Sequence, residues 1–236
     1  MKHYNIYFLF LFFFAVQTAA AQDWKNEKYI DIEVLGWKVK VNTRLLEGDT
    51  SVLKKSLGLF GKELYDISQV LPSKSLKVLK TVTFWFEKET TTHGYTGEYW
   101  SSTSQKYLFR HGADPLKAGG IEIVAGRYID QKAVMNDWVI LHELAHAYHN
   151  LVIQYDEQIQ KTFKVIFNAN LYADVRKGLD KLHHGYARTN YAEYFAEITT
   201  KYFGHSYYYP NDRADLKHYD ILGYKLVEKL WRVNEK

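Results

Sequence analysis

The chain has no cysteine among its 236 residues, and that one absence removes several classes of chemistry. It excludes a disulfide framework, a lipid-modified cysteine, a thiolate zinc site and a cysteine nucleophile. A chain of this length can fold without disulfides, because its core is large enough. Charge of one sign is not concentrated either. Lys and Arg number 31 against 27 Asp and Glu, a formal +4 spread along the sequence. Scattered charge leaves no nucleic-acid footprint. Beyond residue 21 no apolar run approaches a membrane span, and neither an internal repeat nor a low-complexity linker divides the chain. What is abundant is aromatic: 20 Tyr, with 6 Trp and 13 Phe. Such rings can form a carbohydrate-binding surface, but most of these sit in amphipathic patterns and read as packing.

The first residues stand apart. Lys2 and His3 precede an apolar run from Ile6 to Val16, followed by Ala19, Ala20 and Ala21. A basic start, a short apolar core and an Ala-x-Ala end are the parts of a secretory signal peptide. As a helix the run would rise only about 16 Å, half of a bilayer core. The expectation is residues 1–21 as signal peptide, cut after Ala21, with no membrane insertion afterwards and a secreted or periplasmic product. Loss of Lys2 lowers the formal charge from +4 to +3. Residues 22–236 then form a single domain, with an N-terminal lobe at about 22–131 and a helical lobe at about 132–236.

Hydrophobic periodicity predicts an α+β fold. Alternation over Ile30–Val34 and Trp37–Val41, with Leu35-Gly36 between, predicts a hairpin. Leu57, Phe60, Leu64, Ile67 and Leu71 recur at helical spacing and stop at Pro72. Thr81–Glu87 and Ile121–Ala125 read as strands, and the polar stretch from Glu89 to Ser104 as a surface loop. From Lys132 the pattern is helical, with Val134, Trp138, Leu141, Ala145 and Tyr148 as one stripe. Further helices are expected over Glu157–Phe167, Tyr191–Phe203 and Leu216–Val233. The picture is a small mixed α/β lobe leading into helices that hold the chemistry.

That chemistry is read from His142-Glu143-Leu144-Ala145-His146. Histidines four apart on a helix emerge one turn apart on the same face. Two imidazole nitrogens can then reach one zinc ion at about 2.0–2.1 Å. Glu143 stands beside the metal rather than on it, placed to take a proton from water activated by zinc. Two ligands and one base are thus supplied within five residues. The opposite face, with Trp138, Leu141 and Ala145, is apolar, as a buried active-site helix requires.

A catalytic zinc needs a third protein ligand and one open position. His149 shares the face, but a helix rises about 10 Å from residue 142 to 149, too far for one ion. The metzincin pattern avoids this with a glycine three residues after the second His and a later third His. Here those positions hold His149 and Val152, so that pattern fails. Downstream, Glu193 and Glu197 are four apart on the predicted helix Tyr191–Phe203. Two stacked carboxylates would repel unless a cation satisfies them; zinc for one and the ring N–H of a zinc-bound His for the other would do so. Asn190-x-x-Glu193 also has the spacing of a capping box, in which Glu193 merely ties down a helix start. Spacing leaves both readings open.

His-Glu-Leu-Ala-His-Ala-Tyr-His at 142–149 and Tyr-Ala-Arg-Thr-Asn-Tyr-Ala-Glu-Tyr-Phe-Ala-Glu at 186–197 together resemble the catalytic domain of anthrax lethal factor and related gluzincin peptidases. More of the chain, from about Val41 to Trp231, is similar to predicted secreted bacterial metallopeptidases; Val41–Leu46, Gly119–Ile123 and Tyr202–Gly204 are matching segments. The resemblance implies that His142, His146 and Glu193 bind one zinc per chain and that Glu143 is the general base. It implies that Tyr186 donates a hydrogen bond to the oxyanion and that Glu197 orients a ligand histidine. Arg188 and Asn190 match as structural residues. No toxin role is carried over.

The expected activity is that of a secreted zinc endopeptidase acting on protein or peptide. Ile121–Ala125 has two readings, the sheet edge on which a peptide lies extended or an ordinary strand. The rival function is an exported zinc-containing binding module without turnover, aromatic-rich and suited to glycans. Glu143 discriminates, since a purely structural zinc site has no use for a base and usually takes four protein ligands.

Overall fold

A computed structural model describes residues 24–89, 95–155, 157–177, 180–183 and 185–233; the expected signal peptide lies outside the described residues. Strands β1 (Tyr29–Val34) and β2 (Trp37–Asn42) form the expected antiparallel hairpin, closing at Val34 opposite Trp37. Its turn holds Leu35 at φ 51° and Gly36 at φ 80°, the pair of left-handed conformations of a tight hairpin turn. Helix α1 (Ser51–Val70) buries Leu53, Phe60, Leu64 and Ile67 and ends just before Pro72, which cannot continue it. A short α2 (Ser73–Leu79) leads to β3 (Phe84–Glu87), parallel to β2.

The stretch 89–104 is not all loop. Gly97–Tyr99 form β4, and after α3 (Gln105–Arg110) the chain returns as β5 (Ile121–Val124). β5 is antiparallel to β4 and parallel to β3, giving the sheet order β1-β2-β3-β5-β4. Ile121–Val124 is therefore an interior strand, and its reading as a peptide-accepting edge is corrected: the edge is β4. Val39, Val41, Phe84, Phe86, Ile121 and Ile123 are buried on one face of the sheet. Phe60 of α1 meets Phe84 and Phe86 there edge-to-face, with centroids 4.8 and 5.0 Å away.

The chain continues through α4 (Ala125–Val134), α5 (Val139–Tyr148), a π-helical turn (His149–Ile153) and α6 (Glu157–Asn168). A two-stranded ribbon follows, β6 (Val175–Lys177) and β7 (Asp180–His183), then α7 (Tyr191–Phe203), α8 (Arg213–Tyr219) and α9 (Ile221–Leu230). Two expected helices prove divided. Val134 ends α4 at 67% exposure and so leaves the stripe that Leu141, Ala145 and Tyr148 keep. The expected Leu216–Val233 helix breaks at Asp220, whose buried carboxylate caps α9 through Gly223 N–H and accepts from Tyr172 and Tyr194 hydroxyls. The fold is α+β: helices around a mixed five-stranded sheet. Among the described residues no helix is long and apolar enough to cross a membrane.

α5 is the buried axis of the helical half. Ile140, Leu141, Leu144, Ala145 and Ala147 are inaccessible, and Tyr148 stacks on Trp231 at 3.9 Å. Trp231 Nε1 donates to Thr199 Oγ1 of α7 (3.1 Å), so the same indole serves both helices. The start of α5 has Trp138 at the cap position, which offers no side-chain acceptor. Glu63, buried in α1, supplies one from across the core, accepting from Ile140 N–H at 2.8 Å. Tyr128 and Lys132 of α4 satisfy its other oxygen at 2.8 and 3.0 Å. An orphan N–H and the positive end of a helix are met by one carboxylate.

Candidate metal centre

α5 and α7 lie against one another, and each turns charged side chains into a cleft of about 860 Å³ bounded on its far side by β4. His142 Nε2, His146 Nε2 and Glu193 Oε2 converge there. The three atoms are 3.1, 3.2 and 3.2 Å apart. Ligands held tetrahedrally at about 2.0–2.1 Å from one ion lie about 3.3 Å apart, so the triangle fits a zinc ion. The donor set fits as well: two imidazoles and a carboxylate, borderline ligands that suit zinc. Three lone-pair atoms in such contact repel unless a proton or a metal ion stands among them. These are also the described residues whose His, Asp and Glu donors cluster closely enough to hold a metal.

The capping-box reading, in which the Glu193 carboxylate ties down the helix start, is corrected. Asn190 caps α7, its Oδ1 accepting from Ala192 and Glu193 N–H at 2.9 Å each. The Glu193 carboxylate is turned to the two histidines instead of back to the cap. Burial opposes its ionisation, but both imidazoles outweigh that and hold its carboxyl well below the ordinary range.

Glu197 stands one turn along α7. Its Oε1 lies 3.4 Å from His142 Nδ1, and its Oε2 accepts from Lys201 Nζ. Burial would raise its carboxyl, yet Lys201 first and His142 second bring it down to about 2. His142 shows the converse: burial disfavours its charge, but Glu193 and Glu197 lift it to about 10. The two carboxylates thus favour positive charge on the His142 ring.

Glu143 is buried beside this triangle, and its Oε2 accepts the backbone N–H of Tyr99 on β4 at 2.8 Å. Its Oε1 has no donor among the described residues. The close approach of β4 depends on Gly97, where a Cβ would come within 3.1 Å of Val139 and 3.3 Å of Glu143. Tyr99 adds a second tie through its hydroxyl to Asn150 Oδ1 (3.1 Å). Trp100 N–H and Thr96 C=O bond toward the β5 side, to Gly120 and Val124. By strand alternation the peptide groups of Gly97 and Tyr99 point the other way, along the cleft.

Tyr186 begins a 3-10 turn leading into α7; its ring is 6.0 Å from that of His142 and 48% exposed. Partial burial, then the Glu193 carboxylate, raise its hydroxyl well above the ordinary phenol value, so it stays a proton donor. Arg188 fastens this turn by donating to Leu171 C=O (3.0 Å) and lying over the Phe167 ring. His149 is not among the converging donors; its ring packs on Tyr191 and Phe195. The sequence reading missed β4, Glu63 and Lys201. Their partners are 44, 77 and 4 residues away, and only Lys201, spaced i+4 from Glu197, carried a local signal.

Comparison with protein-family models, with curated proteins and with solved structures finds no match to this chain.

Proposed function

We propose that the protein is an exported zinc-dependent peptidase cleaving protein or peptide substrates. The observation that carries this reading is the 3.1–3.2 Å triangle of His142 Nε2, His146 Nε2 and Glu193 Oε2 in an open cleft. His142, His146 and Glu193 would hold the zinc, which when bound supplies positive charge that polarises a carbonyl and acidifies water. Three protein ligands leave one position open, as a catalytic site requires.

The chain's own groups divide the remaining work. An extended peptide pairs with the outward backbone groups of Gly97 and with the Tyr99 C=O, as an added strand on the β4 edge, the Tyr99 N–H being held by Glu143. Glu143, its Oε2 occupied by Tyr99 N–H, takes the proton of the attacking water at Oε1 and returns it to the leaving amine. Tyr186, protonated and near His142, donates to the oxyanion that develops on the scissile carbonyl. Glu197 accepts from His142 Nδ1, which leaves Nε2 as the free lone pair.

The test is Glu143→Gln in the purified protein, with metal content and hydrolysis of a peptide library measured together. About one zinc per chain is expected in parent and variant, with hydrolysis reduced roughly 10²–10⁴-fold in the variant. A parent that holds no zinc after resupply, or a variant with normal turnover, defeats the reading. Tyr95, Trp138, Tyr208 and Tyr209 along the cleft favour one second reading, a zinc-containing module that binds glycans without turnover. Zinc in the parent with no cleavage of any library peptide, and retention on a glycan array, would select it.

A further inference from the structure

Lys201 stands one turn beyond Glu197 on α7, on the cleft wall, and only 1% of it is exposed. Its ammonium reaches Glu197 Oε2 and, at 3.3 Å, Ser206 Oγ. Stability does not explain a lysine here. Exposed i,i+4 pairs need no burial, and a buried pair is often matched or bettered by apolar residues of similar volume. The arrangement of atoms does explain it. A carboxylate has two oxygens in one plane; once Oε2 is fastened to Lys201, Oε1 is left aimed at His142 Nδ1, 3.4 Å away. Ser206 is itself rigidly held, with its C=O accepting from Asn211 Nδ2 (2.8 Å) and its N–H bonded to Asn211 C=O (2.8 Å). Lys201 is thus anchored at one end and directs Glu197 at the other.

We propose that Lys201 is a positioning residue of the metal centre: it pins Glu197 Oε2, turns Glu197 Oε1 onto His142 Nδ1, and so holds the His142 ring with Nε2 facing His146 Nε2 and Glu193 Oε2. It rests on the zinc reading of that triangle. The role has a sign that distinguishes it from simple electrostatics. A cation near a metal site repels the metal, so removing Lys201 for charge reasons alone would tighten zinc binding. Removing a positioning residue loosens it.

The experiment is zinc affinity by chelator competition on folded parent, Lys201→Met, Glu197→Gln and the double variant, with folding checked by circular dichroism. Lys201→Met should bind zinc about 10–100-fold more weakly, the range for groups that orient a ligand. The double variant should be no weaker than Glu197→Gln alone, because Lys201 acts only through Glu197. Lys201→Gln, which still donates to a carboxylate, should lie between parent and Lys201→Met, and it answers the question if the Met variant does not fold. Zinc binding as tight as the parent's, or tighter, in either folded variant overturns the proposal, as does additive weakening in the double variant. A parent that binds no zinc defeats the metallopeptidase reading instead, so the two failures are distinguishable.

Discussion

Among the described residues two lysines are buried completely enough to compare, one behind the sheet and one at the cleft. Lys117, 1% exposed, bonds Glu87 Oε1 at 2.6 Å and Glu122 Oε2 at 2.9 Å. Glu87 is further satisfied by the Tyr29 hydroxyl and Asn42 Nδ2, both at 2.7 Å. Each oxygen of that carboxylate meets a donor from the chain, and the cluster is closed. Lys201 has the same burial and a carboxylate partner, but its cluster leads on to His142, His146 and Glu193, whose possible ligand atoms converge on one point in an open cleft. Buried charge is common to both, so it does not mark function. What the cleft adds is three possible ligand atoms converging on one point, and the proposed function rests on that convergence.

The largest expected effect breaks the closed cluster. Lys117→Met leaves Glu87 and Glu122 buried without their cation and should cost on the order of 3–5 kcal/mol of stability. Zinc affinity of the folded fraction should not move. Denaturant unfolding and chelator competition measure the two separately; weakened zinc binding here would erase the distinction between the clusters.

At the open cluster the two glutamates of α7 should separate. Glu193→Gln keeps the Asn190 cap, so it should fold normally, yet it replaces the proposed anionic ligand by a neutral amide. Glu197→Gln only loosens His142 and should weaken zinc about 10–100-fold. Chelator competition should rank Glu193→Gln as clearly the worse. Equal affinity in Glu193→Gln and parent would return the residue to a purely structural role at the helix start.

The open cluster should also titrate with metal. Glu193 and Glu197 hold His142 protonated up to about pH 10 in the metal-free protein. Zinc must displace that proton, so between pH 7 and 9 its apparent affinity should rise about tenfold per pH unit. The same shift sets a stability dependence. The raised His142 value stabilises the metal-free fold fully below pH 6.5, and that contribution is lost as pH rises toward 10. A pH-independent zinc affinity over this range would show that no proton occupies the triangle.

How much of this was legible depended on how local the cause was. Phe60, Leu64 and Ile67 announced α1, and the 142–146 spacing announced the face of α5, because both patterns repeat within one element. The cap at Asn190 was also local, and so was the pairing of Glu193 with Glu197. β4 was not legible: Gly97-Glu98-Tyr99 is short and half polar, and it is a strand only because β5 and Glu143 lie alongside. Nor was the N-terminal acceptor of α5, which comes from Glu63 in a helix far back in the chain. The break at Asp220 was hidden because Leu216 and Val227 keep one apolar register across it. Where tertiary partners decide the conformation, composition and period are silent.

The smallest effect belongs to Glu98, on β4 opposite Glu122. Burial first, then the carboxylates of Glu143, Glu122 and Glu193, push its carboxyl up to about 8. The sign runs against stability. As pH climbs past the ordinary value near 4.5, the unfolded chain ionises Glu98 while the folded chain resists, so stability falls between pH 4.5 and 8. Gln cannot ionise, and Glu98→Gln should remove that loss. Solvent reaches this site in part and screens it, so a gain of about 1 kcal/mol is the reasonable scale, or roughly 2–4 °C in Tm. Thermal unfolding of chelator-treated parent and Glu98→Gln should therefore coincide near pH 4 and diverge by pH 8.5, with the variant higher. A variant no more stable at pH 8.5 would mean that Glu98 ionises freely at the cleft edge and that β4 stands more open to water than its contact with Val139 and Glu143 implies.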